Sequence, residues 1–362
     1  MNQRVDIVRQ RLAEWQLDGI LLNRRDNIAW LTGGASCYVV ERAETSVASL
    51  LITADRLLLL APENEMPRIL AEEPLPSEYQ THSYPWYESL DTALEKVRPD
   101  RLGSDIPLTS AVDVMHKMPL LRQGLNEDEK QRFRQLGQEA ARLVEAVARG
   151  LRAGVSERDV EAEIVKQSLA RGIRPVCTLI AADERIARYK HPIPGNHRMV
   201  KQMLITLGAE RAGLNVSLTR MVYLGEPDAA LRARIRALAE IHADILSAVQ
   251  INRSWKSIFA DIQQAYQRHG WHDGWRDHHQ GGPAGYGCRD WIVTPDRPGY
   301  AQADTAQAWN PTLSGAKSED TFLLTGTGPE WLTRSGDWPL IDVVREGQTW
   351  QVADWLVLPL SS

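Results

Sequence analysis

Cysteine is scarce. Cys37, Cys177 and Cys288 are the only three in 362 residues, and none sits at a metal-binding spacing. An odd, scattered set excludes a disulfide framework and fits a reducing cytoplasm. Long apolar runs are missing too. The longest pure aliphatic run, Leu57–Ala61, is far too short to span a bilayer, and the opening MNQRVDIVRQ has no apolar core of a secretory signal. No excess of positive charge is present: the net charge of −5 argues against nucleic acid or an anionic membrane as the main partner. Phenylalanine is rare, at three residues against twelve tryptophans. Several tryptophans lie in Gly- and Pro-rich stretches, where they either line a cleft or fill a core. What remains, 43% hydrophobic and 25% charged, is the composition of a soluble globular chain long enough for two domains.

The pattern along the chain mixes short helices and strands. Val5, Val8, Leu12 and Trp15 recur at helical spacing. Gly19 ends that helix, Ile20–Leu22 reads as a buried strand, and Trp30–Gly34 as a turn. Val47–Thr53 and Leu57–Leu60 predict a hairpin, Asn64–Glu73 and Leu90–Val97 helices, and Arg101–Ile106 a strand. Pro119 to Asn126 is the best boundary, giving domains 1–122 and 123–362. Asn126 with Glu129 has the form of a capping box opening a helix to about Arg149. Ser156 caps a second helix, and Pro175–Ala181 is a strand. Met203–Leu207 and Leu214–Leu218 form a hairpin on which Thr206 and Ser217 share a face. Helices over Ala229–Val249 and Trp255–His269 precede a glycine loop, Trp275–Tyr286, and a strand–turn–strand over Ala306–Leu324. The expected class is α+β, with a smaller α/β domain in front.

Four constellations can carry chemistry. His278 and His279 stand before a glycine pair, where backbone can approach a ligand, and Tyr286 follows. Asn310-Pro311 and then Lys317-Ser318-Glu319-Asp320-Thr321 place a carboxylate at a strand end. His191 is held between Lys190 and Pro192 in a proline-rich turn. Ser217-Leu218-Thr219-Arg220 closes the hairpin, with Arg220 anchoring it or a neighbouring carboxylate. Taken singly, each has a plain reading as solvated turn or surface histidine.

Taken in order, these segments resemble the pita-bread family of creatinase, prolidase, Xaa-Pro aminopeptidase and methionine aminopeptidase. Thr206-Leu207-Gly208-Ala209, Gly213-Leu214 and Ser217-Leu218-Thr219-Arg220 follow its hairpin. His279 and Gly282 follow its histidine loop, Asn310-Pro311 its Glu-Pro, and Glu319-Asp320-Thr321 its final Glu-Asp-Thr. Trp30-Leu31-Thr32-Gly33 matches a turn of the creatinase-type N-terminal domain. The family binds two divalent metals with two aspartates, a histidine and two glutamates. By resemblance those positions are Thr206, Ser217, His279, Asn310 and Glu319, of which only His279 and Glu319 are of a ligand type. The implied chain has the pita-bread fold without the dinuclear site, and no metal or other cofactor is expected.

Within the family, creatinase works without metal through a histidine, which falls on His191. The resemblance therefore implies a metal-independent hydrolase of a C–N bond in a small amide-like or peptide-like substrate. His191, His279 and Glu319 would be catalytic, with His279 and Glu319 as a hydrogen-bonded pair. Thr206, Ser217, Arg220, Asn310, His278 and Tyr286 would bind substrate. The alternatives are a non-catalytic peptide or metabolite binder and a metal-dependent Xaa-Pro peptidase. A cytoplasmic homodimer is implied as well, with the Asn27–Tyr38 turn, carrying Trp30 and Cys37, approaching the partner.

Overall fold

A computed structural model describes residues 2–75 and 78–360. The chain divides into two compact units, Met1–Gln123 and Gly124–Ser362. The first is built on a six-stranded mixed sheet, in the order Gln80–Tyr84, Leu57–Pro62, Thr45–Thr53, Gly19–Arg24, Leu102–Ser104 and Val112–Asp113. The central strands are leucine-rich and buried on both faces, which is why they read as continuous apolar runs rather than alternating ones. The stretch expected to turn at Trp30 is instead a helix, Arg25–Thr32, stopped by Gly33 in the left-handed region at φ 84°. Trp30 and Cys37 are buried. Their side chains are therefore spent inside the unit, while Thr32, Ser36 and Tyr38 of the same segment stay partly exposed.

The second unit carries the candidate chemistry. The capping box at its start is formed: Asn126 Oδ1 accepts from the Glu129 amide at 2.9 Å, and Glu129 Oε2 accepts from the Asn126 amide at 2.9 Å. The helix behind it, Glu127–Arg149, turns an apolar stripe toward a four-stranded sheet. That sheet runs in the order Leu356–Leu358, Leu214–Leu224, Gln202–Arg211, Arg174–Ala182. A second four-stranded sheet runs Gly281–Ala284, Thr305–Trp309, Asp320–Thr325, Gly328–Trp331. The helices Ala229–Ala248 and Trp255–Arg268 pack together over an aromatic-rich core that includes Trp255, Tyr266, Trp309 and Phe322. Many of the tryptophans are therefore core filling.

Two details position the site. The glycine stretch 275–286, expected as a loop, contains a true strand. At Gly281 φ is 119°, and a Cβ there would stand 2.2 Å from the Ala308 carbonyl oxygen, so only glycine lets this strand lie against Thr305–Trp309. The turn between the two later strands is itself a small hairpin, Thr312–Leu313 paired with Ala316–Lys317. It delivers Lys317 and Glu319 together at the start of Asp320–Thr325. Among the described residues, no helix is long and apolar enough to cross a membrane.

Candidate functional site

The long hairpin supplies three hydroxyls on one face. Its register pairs Thr206 with Thr219 and Gly208 with Ser217, so Thr206 and Ser217 are diagonal neighbours with Thr219 beside both. Thr219 Oγ1 donates to Glu319 Oε2 at 2.8 Å, because a carboxylate only accepts. Its own lone pair then takes the Thr206 hydroxyl at 2.7 Å. The two sheets are joined at this point. The Thr219 amide donates to the Glu319 carbonyl at 2.9 Å, and Thr321 Oγ1 accepts from the Ser217 amide and donates to the Ser217 carbonyl, both at 2.8 Å.

Glu319 is buried and matched by two cations. Lys317 Nζ is 2.8 Å from Oε2, and Arg289 Nη2 is 3.0 Å from Oε1. Arg289 also donates to Ser217 Oγ at 3.1 Å and lies 3.5 Å from Asn310 Oδ1. Burial alone would raise the Glu319 carboxyl. The charges of Lys317 and Arg289, with hydrogen bonds from Lys317 and Thr219, reverse that and hold it at about 2.

Beside this ion cluster stand three imidazoles. His191 Nε2 and His278 Nε2 are 2.9 Å apart. His278 Nδ1 lies 2.5 Å from the His279 carbonyl oxygen, and the Asn310 amide nitrogen is 3.3 Å from the same Nδ1. The rings of His278 and His279 are 4.2 Å apart between centroids. The ring nitrogens these three residues can offer a metal all lie within 4.8 Å of one another. Burial, then Lys317 and His279, push His278 down to about 3. Burial, then Arg289, push His279 down to about 4. His191 is lowered by burial and by Lys317. All three are therefore neutral near pH 7. Of the three, His191 is the most exposed.

Asn310 ties the two halves together, so His191, His278, His279, Thr206, Ser217, Asn310 and Glu319 all fall in one neighbourhood. Two residues expected to bind substrate do not. Arg220 is fully buried and spends its guanidinium on Glu145, Asp320 and the carbonyls of Thr219 and Thr333, so its role is corrected to a structural one. Tyr286 is buried and donates to Glu129 Oε1 at 2.6 Å, bracing the first helix of the unit. The expected His279–Glu319 pair is not formed either. Glu319 bonds Thr219, Lys317 and Arg289, while His279 Nδ1 is buried without a hydrogen-bond partner.

Sequence reasoning missed Thr219, Lys317 and Arg289. A signal for the first two was present. Thr219 is two residues from Ser217, and Lys317 two from Glu319, and alternate residues of an extended segment share a face. Arg289 had none: it reaches Glu319 across 30 residues of chain that include the strand Thr305–Trp309 and the small hairpin after it.

Comparison with known proteins agrees with this architecture. Residues 131–325 match metallopeptidase family M24, and residues 4–158 match the creatinase/prolidase N-terminal domain. A protein named Xaa-Pro dipeptidase from Pyrococcus horikoshii is 20% identical over 359 residues, spanning 92% of this chain and 98% of its own. The crystal structure of the prolidase from Pyrococcus horikoshii OT3 superposes with a TM-score of 0.79 at 19% identity, over 92% of this chain and 98% of that one. A Xaa-Pro dipeptidase from Bacillus anthracis gives 0.79 at 16%, over 98% and 99%. At these identities the likeness shows the fold, a pita-bread unit preceded by a creatinase-type unit.

Proposed function

The chain belongs to metallopeptidase family M24, and from that premise we propose that it is a hydrolase of C–N bonds in small amide-like or peptide-like substrates that works without the family's pair of metals. One observation carries the reading: the buried carboxylate of Glu319 is already matched by Lys317 and Arg289. Two dications need anionic ligands to neutralise and enclose them. At the positions that the resemblance assigns to the family's ligands stand Thr206, Ser217, His279, Asn310 and Glu319, with one carboxylate among them. The Thr206 hydroxyl is spent on Thr219, Ser217 accepts from Arg289, and two fixed cations face the remaining carboxylate. These residues do not fit the dinuclear group.

The chemistry then falls to imidazole. His191 takes a proton from an attacking water and returns it to the departing nitrogen, as general acid–base catalysis requires. Lys317 and Arg289 lie within electrostatic reach of the imidazoles and can stabilise negative charge developing on the substrate oxygen. Ser217, Asn310 and Thr206 orient polar groups of the substrate. The test is a screen of dipeptides and small amides with chelator-treated protein. Turnover that survives chelation supports the reading. Turnover that disappears and returns with manganese or cobalt overturns it in favour of a metal-dependent Xaa-Pro peptidase, the activity named for the relatives.

A second reading is a non-catalytic peptide or metabolite binder, favoured by the saturation of Glu319, whose three partners leave it closed to a substrate proton. Absence of turnover with retained binding of a dipeptide would select it. We further propose a cytoplasmic homodimer, in line with the family resemblance. Light scattering at micromolar concentration is expected to give twice the mass of one chain, and a single-chain mass would refute the dimer.

A further inference from the structure

We propose that His191, His278 and His279 together bind one transition-metal ion of the zinc type, and that an ion held there blocks proton transfer at His191 instead of promoting hydrolysis. The site departs from the expectation of no metal. It also differs from the family's, since it uses no carboxylate and draws two of its ligands from outside the five family positions. The binding half stands on geometry alone. The inhibitory half rests on the reading of His191 given above.

Zinc takes imidazole nitrogens at about 2.0–2.1 Å in a tetrahedral shell, which puts neighbouring ligand nitrogens about 3.3 Å apart. The present nitrogens bracket that value, with His191 and His278 at 2.9 Å and all three within 4.8 Å. Side-chain adjustments of about an ångström would close the set. The surroundings favour ligation. A metal-bound histidine commonly donates its other ring N–H to a carbonyl, which fixes the tautomer. His278 Nδ1 already donates to the His279 carbonyl at 2.5 Å and leaves Nε2 facing His191. His279 makes no side-chain hydrogen bond to Glu319, and its Nδ1 is buried with no partner, so its ring is not committed elsewhere. The turn His191-Pro192-Ile193-Pro194 limits how far the third ligand can wander. An all-imidazole set selects zinc, copper, nickel or cobalt over magnesium and calcium. Lys317 and Arg289, set against one Glu319, leave a positive charge nearby and hold the affinity below that of an acidic site.

Inhibition follows from the tautomer. An imidazole that gives Nε2 to a metal carries its proton on Nδ1. His191 then has no free lone pair with which to take a proton from water.

The experiment titrates chelator-stripped, full-length protein with Zn²⁺ by calorimetry and with Co²⁺ by visible absorption. The expected result is one ion per chain, with the intense bands of four-coordinate cobalt. His191→Ala and His278→Ala should each weaken binding by about tenfold or more, the scale on which the supports of a metal site already act. Glu319→Gln should weaken it less than either. His191 is exposed, so its variant tests the site without risk to the fold. No saturable binding overturns the proposal. So does a Glu319→Gln variant that loses more affinity than His278→Ala, which would put the ion on the family's positions. The two readings separate cleanly: cobalt bound at one per chain without any metal-free turnover leaves this site standing and removes the metal-free hydrolase, and the converse does the opposite.

Discussion

Substituting Arg220 by methionine is expected to destabilise the second unit by about 3–5 kcal/mol, the range for removing one partner of a buried ion pair. Arg220 is the joint of this unit. Its Nε donates to Glu145 Oε1 at 3.0 Å, on the first helix. Its Nη1 donates to Asp320 Oδ1 and to the Thr219 carbonyl, both at 3.0 Å, and Nη2 donates to the Thr333 carbonyl at 2.7 Å. Helix, hairpin, second sheet and the segment after it therefore meet on one guanidinium. The charge balance explains the size of the effect. Glu145 and Asp320 are both buried, and each keeps one oxygen with no hydrogen-bond partner, Glu145 Oε2 and Asp320 Oδ2. Arg334 is a second cation within electrostatic reach, so with Arg220 present the group is neutral and without it one negative charge is left in the core. Methionine keeps the length of the side chain but supplies neither charge nor donors. The urea midpoint followed by near-ultraviolet circular dichroism reads the loss. Adding Asp320→Asn to the variant removes the uncompensated charge and should recover part of it, so the two changes should be non-additive. A loss under about 1 kcal/mol, the scale of an exposed pair, would show that the cluster does not carry the joint.

Arg220 also illustrates what a sequence conceals. Ser217-Leu218-Thr219-Arg220 announced a hairpin end, and strand alternation placed Ser217 and Thr219 on one face. It also puts Arg220 on the opposite face, away from the pocket and toward the helix Glu127–Arg149. The period of two therefore already argued against a substrate-binding role for it. The elements themselves were legible because they rest on local rules: the capping box at Asn126, the serine cap at Ser156 and the apolar periodicity of the long helices. At Trp30–Gly34 a glycine that reads as part of a turn is the left-handed cap of a helix, whose buried residues include Ile28, Trp30 and Leu31. The three histidines stood out as residue types, but their meeting depends on packing between segments 87 residues apart. Arg289 and Lys317 were not legible as site residues. Charged side chains are exposed by default, and nothing local says that Lys317 will be buried and Arg289 largely so against one glutamate.

The largest effect on function is expected at His191. If a substrate turns over in metal-free protein, His191→Ala should lower kcat by roughly 10²–10⁴-fold, the usual contribution of a positioned general acid–base. The hydrogen-bond directions say which atom is involved. At His278 Nδ1 the His279 carbonyl, which only accepts, is 2.5 Å away and the Asn310 amide nitrogen, which only donates, 3.3 Å away; the much shorter contact assigns the ring proton to Nδ1. Neutral His278 then offers a lone pair at Nε2, and the 2.9 Å contact requires His191 to donate from its own Nε2. The lone pair of His191 is thereby fixed on Nδ1, and that nitrogen is the base. When it takes a proton, the imidazolium formed stays hydrogen-bonded to His278, which stabilises the charge. Replacing His278 by phenylalanine removes that support and frees the tautomer of His191, so kcat should fall while KM for a small substrate changes little. Glu319→Gln acts differently. It leaves Lys317 and Arg289 without their counter-charge next to the substrate site, and should disturb KM at least as much as kcat. Nitrogen-15 shifts of labelled protein report the tautomer directly, with His191 protonated at Nε2 in the native chain and a mixture in the His278→Phe variant. A His191→Ala variant with undiminished kcat would move the proton transfer to His279, whose buried Nδ1 is the other nitrogen without a hydrogen-bond partner.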